Sequence, residues 1–188
     1  MLTRDGALEL IDQYVKNERL KKHMLAVEAI MQALARKLGR NEKLWGIVGL
    51  LHDIDYELAH KKGKNWMKYH GVLAKKILKD KLPDEALHAI KAHNFENTGV
   101  NPKSDLDYAL IASDSISGLI VACALVMPNK RLEEVKIETI ARKFKSKDFC
   151  RGVKREHIAY CEKLGLKLGE FFELSLNALK EVASDLGL

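Results

Sequence analysis

The sequence predicts an all-α fold, and three observations carry that expectation. Only three prolines occur in 188 residues, so few positions forbid a helix. Apolar residues recur at helical spacing, as in Leu20, Val27, Ile30 and Leu34. No alternating apolar–polar run of useful length marks a half-buried strand.

The elements follow in order. A first helix is expected over about residues 4–16. The second runs from Glu18 to Leu38 and stops at Gly39, a residue suited to a left-handed helix end. Asn41 can cap a third helix, which carries Ile47, Val48, Leu50 and Leu51 into His52-Asp53. A polar basic loop, "LAHKKGKN", follows, and Asn65 is placed to cap a fourth helix over about residues 66–80. Pro83 suits the first turn of a fifth helix, about 83–94. Ser104 opens a long helix to about residue 126, which "MPNKRLEE" breaks. Three or four further helices complete the chain. This divides it into a helical core over 1–126 and a helical extension over 127–188, packed on that core.

Bulk composition narrows the function. The chain is 47% hydrophobic and 31% charged, a globular profile with a charge-rich surface. Its 32 Lys and Arg against 26 Asp and Glu give a net charge of +6, which favours anionic partners. That balance does not choose between a phosphorylated metabolite and nucleic acid. The N-terminus, "MLTRDGALEL", lacks the basic-then-apolar pattern of a signal peptide. The apolar run "ISGLIVACALVM" is shorter than the ~20 residues a bilayer span needs. Cys123, Cys150 and Cys161 show no CxxC spacing and read as free thiols of a reducing compartment. The expectation is a cytoplasmic protein with no membrane partner.

The informative residues are polar groups on apolar stripes, because burying them costs free energy unless they are paired or bound. His23 lies on the stripe of Leu20, Val27, Ile30 and Leu34. His52 and Asp53 end the run Leu44, Ile47, Val48, Leu51. His70 falls with Trp66, Leu73 and Ile77, and His93 follows Leu87 and Ile90. Asp114 stands mid-helix with Leu110, Ile111, Gly118 and Val121, where an unpaired carboxylate is strongly unfavourable. Each placement alone has a structural explanation. One event explains them together: the helices pack around a bound cation. Histidine with carboxylate suits Fe, Mn or Zn rather than calcium. Adjacent helical residues project roughly 100° apart, so Asp53 can bridge two ions. Gly118, one turn after Asp114, would let a backbone or the substrate approach. His60, His88 and His157 are expected to be structural or surface residues.

These residues resemble the HD-domain metal-dependent phosphohydrolases over roughly residues 18–126. That family's pattern of a histidine, an HD dipeptide and a distant aspartate is matched by His23, His52-Asp53 and Asp114. Members with two metals add two histidines in between, where His70 and His93 fall. "HDID" is close to the HDIG variant, with Asp55 in place of glycine. The chain also looks like a group of small uncharacterised bacterial and archaeal HD hydrolases, through "GLIVACALV" and the helical tail. It lacks the GYP motif of cyclic-dinucleotide phosphodiesterases, having Asn94 after His93. It also lacks the Glu-Asp that follows HD in guanosine-tetraphosphate hydrolases.

The resemblance implies an HD-type helical bundle. It implies one metal on His23, His52, Asp53 and Asp114, and a second on Asp53, His70 and His93. The expected cofactor is one or two divalent transition metal ions, Fe or Mn first, with Zn, Ni, Co and Mg behind them. The expected activity is hydrolysis of a phosphate ester or anhydride, of a nucleotide or another small phosphorylated metabolite, by a metal-bound hydroxide. Asp53 and Asp55 are the expected catalytic residues, with Glu57 and His60 as further proton-donor candidates. Lys61, Lys64 and Lys91 are the expected substrate-binding residues. Among partners, a small phosphorylated substrate ranks first and nucleic acid behind it, and a homodimer is left open. The alternative activities are a di-iron oxygenase and a non-catalytic nucleotide- or nucleic-acid-binding helical protein.

Overall fold

In the computed structural model, residues 2–188 are described, and no strand occurs among them. The chain forms twelve α-helices joined by short turns. They are α1 (Arg4–Tyr14), α2 (Glu18–Leu38), α3 (Glu42–Leu51), α4 (Tyr56–His60), α5 (Val72–Leu78) and α6 (Asp84–Ala92). Then come α7 (Phe95–Thr98), α8 (Asp105–Leu125), α9 (Ile137–Lys145), α10 (Arg155–Ile158), α11 (Leu168–Glu181) and α12 (Ala183–Leu186).

Local chemistry sets the boundaries that position the site. The Asn17 side chain accepts from the amides of Arg19 and Leu20 and starts α2. Gly39 ends it at φ 63°, in the left-handed region where a Cβ would be strained. Asn41 accepts from Leu44 and starts α3. Ser104 and Asp107 form a reciprocal capping box that starts α8.

The core is built on α2 and α8. α3 lies along α2, where a Cβ on Gly49 would come within 2.9 Å of Met31 Cγ and 3.0 Å of the Val27 carbonyl. Glycine there lets the two backbones approach and fixes the end of α3, which carries His52. α8 is long and apolar enough to cross a membrane, by length and composition alone. That apolarity is used inside the protein, because α2, α3, α6, α9, α10 and α11 pack around it. Burying each large side chain such as Leu110 or Ile120 contributes about 1.5–3 kcal/mol. Ile140, Ile158, Phe171 and Leu179 of the extension join the same buried cluster as Val27 and Leu110. The three cysteines are free, and burial pushes the thiols of Cys123 and Cys161 up to about 11 and about 12.

Two sequence expectations change. The helix expected over residues 66–80 is broken into a 3-10 turn at Trp66–Lys68 and α5. Gly71 causes the break: its φ is +82°, and a Cβ there would lie 3.0 Å from the Ile90 carbonyl oxygen. Asn65 makes no side-chain cap bond. The second change concerns Gly118. The space beside it is taken by Val153 of the extension, whose Cγ2 would lie 3.3 Å from an added Cβ.

Candidate metal centre

Three helix ends and two helix interiors bring the six expected ligands together. His52 and Asp53 follow the last turn of α3, and His93 follows that of α6. His23 projects from α2 and Asp114 from α8, while His70 sits at the Gly71 break. Asp53 is the hub. Its Oδ1 lies 3.2 Å from His70 Nε2, 3.4 Å from His52 Nε2 and 3.5 Å from His93 Nε2. Its Oδ2 lies 3.7 Å from His23 Nε2. Asp114 Oδ1 lies 3.1 Å from His23 Nε2 and 3.8 Å from His52 Nε2. His23, His52 and Asp114 form one group spaced to hold an ion, and His52, Asp53 and His93 form another.

The outer ring nitrogens fix which way the lone pairs point. His52 Nδ1–H donates to the Gly49 carbonyl at 2.8 Å, and His93 Nδ1–H donates to the Ile90 carbonyl at 2.5 Å. His70 Nδ1–H donates to Asp55 Oδ1 at 2.9 Å. His23 Nδ1–H faces Ser117 Oγ at 3.3 Å, whose own hydroxyl donates to the Asp114 carbonyl. Neutral imidazoles so fixed present bare Nε2 lone pairs inward. Those Nε2 atoms lie 3.0 Å apart for His70 and His93 and 3.3 Å apart for His23 and His52. Two lone pairs and a carboxylate at that spacing repel unless a cation or a proton lies between them. The donor set fits divalent transition metals with nitrogen and oxygen ligands.

The electrostatics agree. Burial lowers the His52 pKa to about 4, more than Asp53 and Asp114 can offset. Burial also opposes a charge on His70, but its hydrogen bonds to Asp53 and Asp55 prevail and push it up to about 10. For Asp53, burial favours protonation, yet the surrounding imidazoles hold the carboxyl well below the usual range. For Asp114, His23 has the same effect. Burial also opposes a charge on His23, but Asp114 and Asp53 prevail and raise it, so the cluster favours positive charge at His23 as well as at His70.

Asp55 is the best-connected residue behind the cluster. It is fully buried and accepts from His70 Nδ1, from Gly71 N at 2.8 Å and from Ala74 N at 2.7 Å. It does not line the open cleft. That placement suits orientation of His70 rather than proton delivery to a substrate. Glu57 is likewise occupied, accepting from the amides of Lys16 and Asn17.

All of the expected ligands but the fully buried His52 line an open cleft of about 1010 Å³. Of the three expected lysines, Lys61 lines it, whereas Lys64 and Lys91 lie outside the lining. His60 and His157, expected to be structural or surface residues, both line it; His88 instead pairs with the buried Asp107 of α8. Sequence reasoning missed Arg19, Tyr56, Asn94, Glu96 and Lys154 in the lining. Asn94 had a signal, its adjacency to His93: its amide donates to the carbonyls of Met67 and His70 and secures the turn that carries His70. Lys154 had none. It reaches the cleft from the extension, paired with Glu96. The following residue, Arg155, anchors that loop by donating to the carbonyls of Phe144, Phe149, Cys150 and Val153, among others.

The sequence is similar to known proteins over the segment that carries these residues. The HD domain family model matches residues 20–124, which include His23, His52, Asp53, His70, His93 and Asp114. Ribonuclease Y of Desulfotalea psychrophila is 34% identical over 146 residues, 76% of this chain and 26% of the relative. Ribonuclease Y of Lawsonia intracellularis is 31% identical over 142 residues, 74% of this chain and 26% of the relative. The chain thus spans about a quarter of the length of these relatives. No solved structure matches it significantly. With a family match over more than half its length and its His and Asp side chains grouped to hold metal, the chain belongs to the HD-domain family of metal-dependent phosphohydrolases.

Proposed function

We propose that the protein hydrolyses a phosphate ester or anhydride of a nucleotide at a binuclear centre. The observation that carries this is the position of Asp53, whose carboxylate faces His23 on one side and His70 and His93 on the other. His23, His52, Asp53 and Asp114 would hold one ion, and Asp53, His70 and His93 the second. When bound, such ions make a water acidic enough to serve as nucleophile near neutral pH and polarise the phosphoryl oxygens. The protein's part is to fix four imidazole lone pairs, keep His52 neutral and close the site from below with the apolar end of α3. Arg19, Lys61 and Lys154 would bind the substrate's remaining charge at the rim. The resemblance to ribonucleases favours a nucleotide over a sugar phosphate, and it makes RNA a substrate to test. Fe or Mn is the first choice of ion for this donor set.

Metal analysis of anaerobically purified protein, paired with Asp53→Ala, tests the centre. About two equivalents are expected in the wild type, with a large loss in the variant. Metal content unchanged by Asp53→Ala would overturn the assignment. One equivalent in the wild type would remove His70 or His93 from the ligand set.

A further inference from the structure

The cleft lining is mixed in chemistry. Asn94, Glu96, Asn97 and Lys154 make part of it polar. Next to them stands an aromatic wall. Tyr56 and Trp66 pack edge to face with centroids 5.0 Å apart, and His60 lies 5.1 Å from Trp66. This aromatic wall adjoins the metal cluster directly. The ring centroids of His70 lie 5.5 Å from Tyr56 and 6.2 Å from Trp66. A group esterified to a phosphate seated at Asp53 therefore meets these rings. Tyr56 keeps 36% of its surface exposed at this place, among the few large hydrophobic side chains left uncovered. Arg19 and Lys61 also line the cleft and bring positive charge to it. Aromatic surface in a cleft that also carries cations is the chemistry that binds a nucleobase with its phosphate, and it offers nothing comparable to a bare sugar phosphate.

We propose that Tyr56 and Trp66 form a stacking subsite for the nucleobase adjacent to the scissile phosphate. The proposal rests on the phosphohydrolase reading above and specifies its substrate class as nucleobase-bearing phosphate esters. The phosphate sits on the metal side of His70, and the base leaves the cluster along the aromatic wall.

The test uses metal-loaded protein and two non-hydrolysable phosphonates, the analogues of adenosine 5′-monophosphate and ribose 5-phosphate. Trp45 is buried, so a change in tryptophan emission on binding reports Trp66. Base stacking gives about 5- to 150-fold in affinity. The adenosine analogue should bind more tightly by a factor in that range and quench the emission. Trp66→Leu should erase the difference while leaving affinity for the ribose analogue unchanged, and Trp66→Phe should keep most of it. Equal affinities for the two analogues in the wild type would overturn the subsite, whether or not Trp66→Leu folds. Hydrolysis of p-nitrophenyl phosphate, bis(p-nitrophenyl) phosphate and pyrophosphate, none of which carries a nucleobase, tests the reaction separately. Its absence beside a retained adenosine preference would overturn the phosphohydrolase reading and leave the subsite standing.

Discussion

Asp55→Asn separates orientation of the metal ligand from the bulk of the fold. In the wild type the Asp55 carboxylate accepts from His70 Nδ1 and from the amides of Gly71 and Ala74, at 2.7–2.9 Å. An asparagine keeps one oxygen, which the two amides can share. Its NH₂ then faces His70 Nδ1, which must become an acceptor. The ring proton moves to Nε2, the atom aimed at Asp53 and His93, and that nitrogen has no lone pair left for a metal. The stability loss should be small, about 1–2 kcal/mol, because the amide acceptor survives. The loss in metal affinity should be about 10- to 100-fold, the usual effect of removing a partner behind a ligating histidine. Asp55→Ala is the harsher control. It deletes all three bonds and leaves two buried amides unpaired, each worth about 1–3 kcal/mol. The fully buried site gives water no access to replace them, so a loss of about 2–6 kcal/mol is expected. That is a large share of the ~5–15 kcal/mol a domain has. Urea unfolding in chelator measures the stability terms, and competition with a chromophoric chelator measures the affinity. Wild-type metal affinity in Asp55→Asn, or an unshifted urea midpoint in Asp55→Ala, would refute the reasoning.

Other predictions concern packing, protons and the rim. Gly49→Ala should destabilise the fold by about 1–3 kcal/mol in urea unfolding, since its Cβ meets Met31 Cγ at 2.9 Å and the rigid Val27 carbonyl at 3.0 Å. Metal uptake at pH 7 should release at least one proton, seen by calorimetry in buffers of different ionisation enthalpy. His70, pushed up to about 10, is protonated there and must lose its proton, whereas His52, pushed down to about 4, is already neutral. In chelator the sign is fixed by the same raised value. His70 contributes stability that is complete below its unfolded pKa of roughly 6.5 and is lost as pH rises through about 10. Lys61→Ala should raise KM severalfold with little change in kcat, and Lys64→Ala, outside the cleft lining, should leave both unchanged in steady-state kinetics.

The sequence by itself determined most of the helices and singled out the six side chains of the candidate metal cluster. Periodicity placed α2 and α8, and Gly39, Asn41 and Ser104 marked ends that the backbone obeys, because capping is a local matter of unpaired amides and carbonyls. His23, His52, Asp53, His70, His93 and Asp114 stood out because each is a costly group on an apolar face. Only the tertiary structure decided what surrounds them. Gly71 breaks the expected helix because the α6 backbone comes within contact distance, a neighbour some twenty residues away that no local pattern reveals. The role of Asp55 depended on that same break, which turns three donors toward one carboxylate. Lys154 and His157 enter the cleft from a segment outside the family match, and Lys64 stays out despite its proximity in sequence. Helix propensity and capping are set within a few residues. Which side chains share a cleft is set by how whole helices pack, and that information is distributed over the entire chain.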